Sequence, residues 1–198
     1  MKKDEGVIRL NKLAEDTCVL RKSTILQLAP EIIDLAAIIS GVIGSGGKLL
    51  LAGNGGSAAD ASHFACEMIV RLSPERNRQS LPAIALTTDT AILTAASNDY
   101  GFENIFARQV EGLGQKGDML LVISTSGNSG NLLKAVQIAK ERKVLTTGLL
   151  GGTGGKLLKA VDRALIVPHP STQRVQEEHR FIIHTLVELI ESDLLNDR

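Results

Sequence analysis

Lys48-Leu49-Leu50-Leu51-Ala52-Gly53-Asn54-Gly55-Gly56-Ser57 decides the reading of this chain. An uninterrupted apolar run, too short for a buried helix, passes into a glycine turn, and the turn passes at once into the helical pattern Ala58 to Leu72. A strand that reads as apolar on both faces belongs in a parallel sheet covered by helices. Four more such runs follow, at Ala83–Thr87, Met119–Ser124, Val144–Leu149 and Ala164–Val167, each separated from the next by a helix-length segment. Repeated strand–helix alternation of this kind predicts an α/β fold, a doubly wound five-stranded parallel sheet flanked by helices.

Upstream of Lys48 the periodicity is helical throughout. Apolar residues recur at helical spacing from Val7 to Leu28, and Pro30-Glu31 opens a second helical stretch through Val42, so an N-terminal helical pair is expected. These helices carry no evident chemistry and have faces suited to packing against another copy of the chain. We expect one domain over residues 1–198, with 1–45 used in oligomerisation and 46–198 forming the α/β core.

Composition narrows the function classes. Lys plus Arg and Asp plus Glu both number 22, which gives no positive field for a nucleic-acid backbone. Cys18 and Cys66 are isolated from each other in sequence, against both a disulfide framework and a thiolate metal knot. The charged start, Met1-Lys2-Lys3-Asp4-Glu5, is unlike a signal peptide, and the uninterrupted apolar runs are short for a bilayer. The expectation is a cytoplasmic protein that engages neither nucleic acid nor membrane.

In doubly wound sheets ligands bind beyond the carboxyl ends of the strands. Two loops there are suited to an anion. Gly53-Asn54-Gly55-Gly56-Ser57 lets the backbone approach a ligand closely at a helix N-terminus, although a tight turn with Ser57 as N-cap would look the same. Ser124-Thr125-Ser126-Gly127-Asn128-Ser129 places four hydroxyls before the helical run Asn131 to Arg142, more than a cap requires, and reads as a phosphate cradle without lysine or arginine. A third cluster, Gly151-Gly152-Thr153-Gly154-Gly155, lacks hydroxyl density and reads as a flexible turn.

Acid–base groups follow on two helices. His63 and Glu67, four residues apart, share a helix face and can share a proton or a metal. His184 lies within an apolar run after Gln176, Glu177, Glu178 and His179; taken alone, it reads as a core histidine satisfied by hydrogen bonds. A ketose-to-aldose shift needs a base beside the carbonyl, an acid for its oxygen and a stabiliser of the ene-diolate, which Glu67, His184 and a metal or backbone donors can supply.

The stretches Gly53 to Glu67, Ser97-Asn98-Asp99-Tyr100-Gly101-Phe102, Ser124 to Ser129 and Arg174 to His184 resemble the sugar isomerase (SIS) family and, within it, the phosphoheptose isomerases. The hydroxyl loop is general to such proteins, whereas His63 and Glu67 with Gln176 and His184 are specific to the heptose enzymes. The resemblance implies interconversion of D-sedoheptulose 7-phosphate and D-glycero-D-manno-heptose 7-phosphate through an ene-diol(ate), for nucleotide-activated heptose and lipopolysaccharide core or surface glycan synthesis. It implies Glu67 and His184 as the catalytic pair. Substrate contacts are implied at Asn54, Gly55, Gly56, Ser57, Glu67, Asn98, Asp99, Ser124, Thr125, Ser126, Ser129 and Gln176. It further implies one Zn2+ per subunit at His63, Glu67, Gln176 and His184, no nucleotide cofactor, and a homotetramer with sites at subunit interfaces. Gln176 and His184 are eight residues apart, about 12 Å on a regular helix, so either Gln176 lies in an irregular first turn or the site draws on two subunits. The alternative is a non-catalytic SIS protein that binds a replication initiator or another partner, which would not need His63, Glu67 and His184 together.

Overall fold

A computed structural model describes residues 3–195; Met1, Lys2 and the last three residues lie outside it. Helix α1 spans Lys3–Gly44, followed by β1 (Leu49–Gly53), α2 (Gly56–Ile69), β2 (Ala83–Ala85) and α3 (Thr90–Tyr100). A 3-10 turn at Phe102–Asn104 leads into α4 (Ile105–Leu113), β3 (Met119–Ser124) and α5 (Gly130–Glu141). Then come β4 (Leu145–Gly151), α6 (Gly155–Ala160), β5 (Arg163–Val167) and α7 (Thr172–Leu195).

All five expected strands form, and every pairing is parallel, in the order β2-β1-β3-β4-β5. Successive strand residues alternate between two cores, as the pleat requires. Leu49, Leu51, Met119, Leu121, Ile123, Leu149, Leu165 and Val167 pack under α1, α2 and α7. Leu50, Ala52, Leu120, Val122 and Leu150 pack under α3 to α6. Burial on both faces is the reason these strands read as continuous apolar runs. The chain leaves β1 toward β2 on one side and resumes at β3 on the other, so the topological switch point lies between β1 and β3.

The N-terminal helical pair is instead one helix of 42 residues with Pro30 inside it. Proline removes the N–H that would bond the Leu26 carbonyl, an interior defect worth about 3 kcal/mol. Here the defect falls on an exposed stretch, where water can meet the carbonyl, and Leu26 itself is 85% exposed. Ile32, Leu35, Ala36 and Ile39 then bury against α7 and the sheet, which keeps the helix continuous through the proline. Taken whole, α1 is long and apolar enough to cross a membrane, contrary to what its short uninterrupted runs suggest. Glu31 and Asp34 nevertheless interrupt its second half.

The third glycine cluster is a packing element. Gly127 has φ 66°, and a Cβ on it would collide with the Gly154 carbonyl; Gly155, φ 56°, lies against the Gly127 carbonyl in return. Leu157 N–H donates to Gly127 O at 2.9 Å, and Lys156 N–H donates to Asn128 Oδ1 at 3.1 Å. The start of α6 therefore braces the loop after β3. Gly127→Ala should destabilise the protein by about 2–4 kcal/mol in urea unfolding, since it adds left-handed strain to a backbone clash.

Candidate active site at the switch point

The loops after β1 and β3 flank the switch point and are clamped together. Asn54 and Asn131 exchange amide hydrogen bonds across it, Nδ2 of each donating to Oδ1 of the other at 2.9 and 2.8 Å. Asn131, one residue into α5, is not among the residues that sequence motifs single out; an amide just past the hydroxyl run is the one signal for it. Gly55, φ 54°, is the N-cap residue of α2, and Ser57 lies buried inside the first turn, so Ser57 is not the cap.

The β3 loop is shaped by its own bonds. Gly127 N–H donates to Ser124 Oγ at 3.0 Å, and Asn128 Nδ2 donates to the Ser126 carbonyl at 2.8 Å. Ser129 is the N-cap residue of α5 yet makes no side-chain cap bond, which leaves its hydroxyl and the first N–H groups of α5 available to an anion. Gly151 lies between this loop and α7: a Cβ there would stand 2.5 Å from Thr125 O and 2.6 Å from Val175 Cγ1.

From that point α7 runs alongside α2 in the same direction, and three contacts step along both helices. Gln176 lies against Gly56, whose missing side chain makes room for the amide. One turn on, Arg180 donates from Nη2 and Nε to Asp60 Oδ1 at 2.6 and 3.2 Å. One turn further, the Nε2 atoms of His63 and His184 are 2.7 Å apart, with rings inclined at 65°. Glu67 Oε1 stands 3.7 Å from His63 Nδ1, so His63 lies between the carboxylate and His184. Gln176, Arg180 and His184 line one open depression of about 550 Å3, together with Arg21, Gln173, Glu177 and Phe181.

Burial pushes the His63 pKa below the usual imidazole value against the pull of Glu67, and the charge of Arg180 acts in the same direction as burial. A neutral His63 can accept a proton at one nitrogen while donating at the other. His184 is only partly buried and pairs with His63; the core histidine of this helix is His179, fully buried, with Nε2 3.1 Å from the Leu150 carbonyl.

Helix α7 is regular from Thr172, so Gln176 is not in an irregular turn. Within one chain the implied zinc ligands do not meet: Gln176 is two turns from His184, and Glu67 faces the Nδ1 side of His63 rather than Nε2. Among the described residues no three His, Cys, Asp or Glu side chains form a metal-holding group. Two imidazole nitrogens of the kind zinc favours converge; the remaining donors do not. Asn98 and Asp99 stand apart on α3, exposed, with Asn98 Nδ2 donating to Asp99 Oδ1 at 2.8 Å. Asp99 lines a different depression, with Tyr100 and Arg108.

Hydroxyl-rich and glycine-rich loops facing each other at the switch point of this sheet define a SIS-type sugar-phosphate fold, and a family model described as SIS domain matches residues 15–151. Phosphoheptose isomerase from Geotalea daltonii is 51% identical over 172 residues, 87% of this chain and 88% of that protein. Two solved phosphoheptose isomerases superimpose closely. The Neisseria gonorrhoeae enzyme has a TM-score of 0.86 at 41% identity, covering 93% of this chain and 97% of that one. The Francisella tularensis enzyme has a TM-score of 0.90 at 38% identity, covering 94% and 98%. The chain belongs to the phosphoheptose isomerase family.

His179 supplies a test of the core beneath this site. Burial lowers its pKa to about 4, whereas an unfolded chain titrates near 6.5. Between those values the unfolded state binds the extra proton, so stability is intact above pH 6.5 and falls as the pH drops toward 4. Urea unfolding should show a loss of about 3 kcal/mol across that window, absent in His179→Gln.

Proposed function

We propose that this chain interconverts D-sedoheptulose 7-phosphate and D-glycero-D-manno-heptose 7-phosphate, an aldose–ketose isomerisation that feeds nucleotide-activated heptose for lipopolysaccharide core or another surface glycan. The row of contacts between α2 and α7 carries this reading. An anion cradle lies beside Val175 and Gln176 at one end, and the His63–His184 pair lies at the other. Eight residues of helix separate Gln176 from His184, about 12 Å, which matches an extended seven-carbon chain with its phosphate at the loop and its first two carbons at the imidazoles.

The chemistry needs a proton removed from C1 and another delivered to O2, then the carbon proton returned to C2 while O1 gives up its own. Glu67 and His184 form the acid–base pair, and His63 between them passes charge from one to the other. The α5 N-terminus and the hydroxyls of Ser124, Thr125, Ser126 and Ser129 hold the phosphate; Asn54, Gly55, Gly56, Ser57 and Gln176 line the sugar. The whole chain acts as one SIS domain in a cytoplasmic homotetramer, with residues 1–45 in the contacts. Asn98 and Asp99, exposed and apart from this row, require assembly to meet the substrate in a neighbouring subunit's site.

Turnover followed by NMR should fall by about 10²–10⁴-fold in Glu67→Gln and in His184→Ala. Wild-type protein inert toward sedoheptulose 7-phosphate, with or without added zinc, would overturn the reading in favour of a partner-binding SIS protein.

We also propose Zn2+ at His63 and His184, with Glu67 completing the set by side-chain rotation and Gln176 contributed across a subunit interface, since within one chain it stands two turns away; when bound the metal would polarise oxygen as a Lewis acid. Calorimetric titration of metal-free protein should show one Zn2+ per subunit, lost in His63→Ala and His184→Ala. An affinity unchanged in Gln176→Ala would remove Gln176 from the set.

A further inference from the structure

We propose that Arg180 is a substrate-binding residue that grips the mid-chain hydroxyls of the sugar, held in position by Asp60. The inference rests on the isomerase reading and adds to it a residue that the family's phosphate and acid–base groups do not include.

Asp60 is fully buried on α2, and both hydrogen bonds from Arg180 converge on its Oδ1. Burying a carboxylate costs several kcal/mol unless a partner compensates it, so such a pair is a weak source of stability compared with apolar packing. The Arg180 side chain, however, is 46% exposed. The pair therefore has a buried anchor and an accessible head. Of the five guanidinium N–H donors, Asp60 takes two and leaves three unused by it, on a residue that lines the depression together with Gln176 and His184.

Position then selects the ligand. Arg180 is four residues from Gln176 and four from His184, about 6 Å along the helix from each. With phosphate at one end and the reacting carbons at the other, a guanidinium at the midpoint meets the carbons between, whose hydroxyl oxygens are acceptors for its planar fork. Arg21 flanks the same depression, but its guanidinium is bonded to buried Glu178 and stacked 4.3 Å from the Phe181 ring centroid. Arg180 is thus the cation in line with the row.

The test compares wild type, Arg180→Met and Arg180→Lys by turnover and by calorimetric binding of sedoheptulose 7-phosphate, with thermal unfolding to establish that each variant is folded. Arg180→Met should raise KM and Kd by about 10- to 100-fold, as the loss of hydrogen bonds from a charged group predicts, with kcat within about threefold of wild type. Arg180→Lys keeps a countercharge on Asp60 but lacks the fork, and should recover stability without recovering affinity. Added guanidinium should partly restore KM in Arg180→Met, which a purely structural role would not produce.

Unchanged KM and Kd in either folded variant would overturn the proposal. Should Arg180→Met not fold, Arg180→Lys decides it by the same criterion. Wild type that binds the sugar phosphate without turning it over would sink the isomerase reading, and the binding comparison would still decide the role of Arg180. Wild type that does not bind it would sink both.

Discussion

Everything at this site depends on α7 lying beside α2 closely enough for their side chains to pair turn by turn. Gly56 leaves the space that the Gln176 amide fills, a contact with the mobile end of a side chain, and the Asp60–Arg180 and His63–His184 pairs fix the approach more firmly. From this first contact the equal rise of two parallel helices sets the rest: Asp60 meets Arg180, and His63 meets His184. The shared α/β core fixes where α2 begins, at the end of β1, and α7 arrives only after the chain has crossed the whole sheet. The first and last units of the fold are thereby joined at the place where chemistry is assigned.

Buried carboxylates recur along this junction. Asp60, Glu178 and Glu191 are all fully buried, and each is paired with an arginine. Arg78 is the most fully enclosed of the three partners: it bonds Glu191 at 2.7 Å and the carbonyls of Glu67 and Met68 at 2.7 and 2.8 Å. One guanidinium thus ties the last turn of α2, which carries Glu67, to the helix that carries His184. Replacing such pairs by apolar side chains can cost little stability, so their arrangement here is better explained by placement of the groups they hold.

The sheet was legible in the sequence because burial on both faces makes each strand a continuous apolar run, and the glycine and hydroxyl loops announced the strand ends. His63 and Glu67 were legible as a pair because four residues is one helical turn. The encounter of His63 with His184 came from the family resemblance alone, since no local pattern encodes which helices pack together. The same gap hid Asp60–Arg180 and Asn54–Asn131, pairs separated by 120 and 77 residues. The core position that His184, taken alone, suggests belongs to His179 for a related reason: periodicity shows that a histidine is on an apolar helix, but five residues along the helix turn it to a different face. Pro30 misled in the opposite sense, since a local helix-breaking signal was outweighed by tertiary packing.

One edge of the sheet is β2, three residues long and entered directly from Pro82. A strand that short offers few free ladder groups, and a proline at its threshold offers no donor of its own. The edge therefore offers an incoming strand little to pair with on that side, which disfavours edge-to-edge pairing. A fold that closes its sheet with so small an edge favours contacts with other molecules through side-chain recognition, where geometry can be selective, over backbone pairing, where any extended chain would serve.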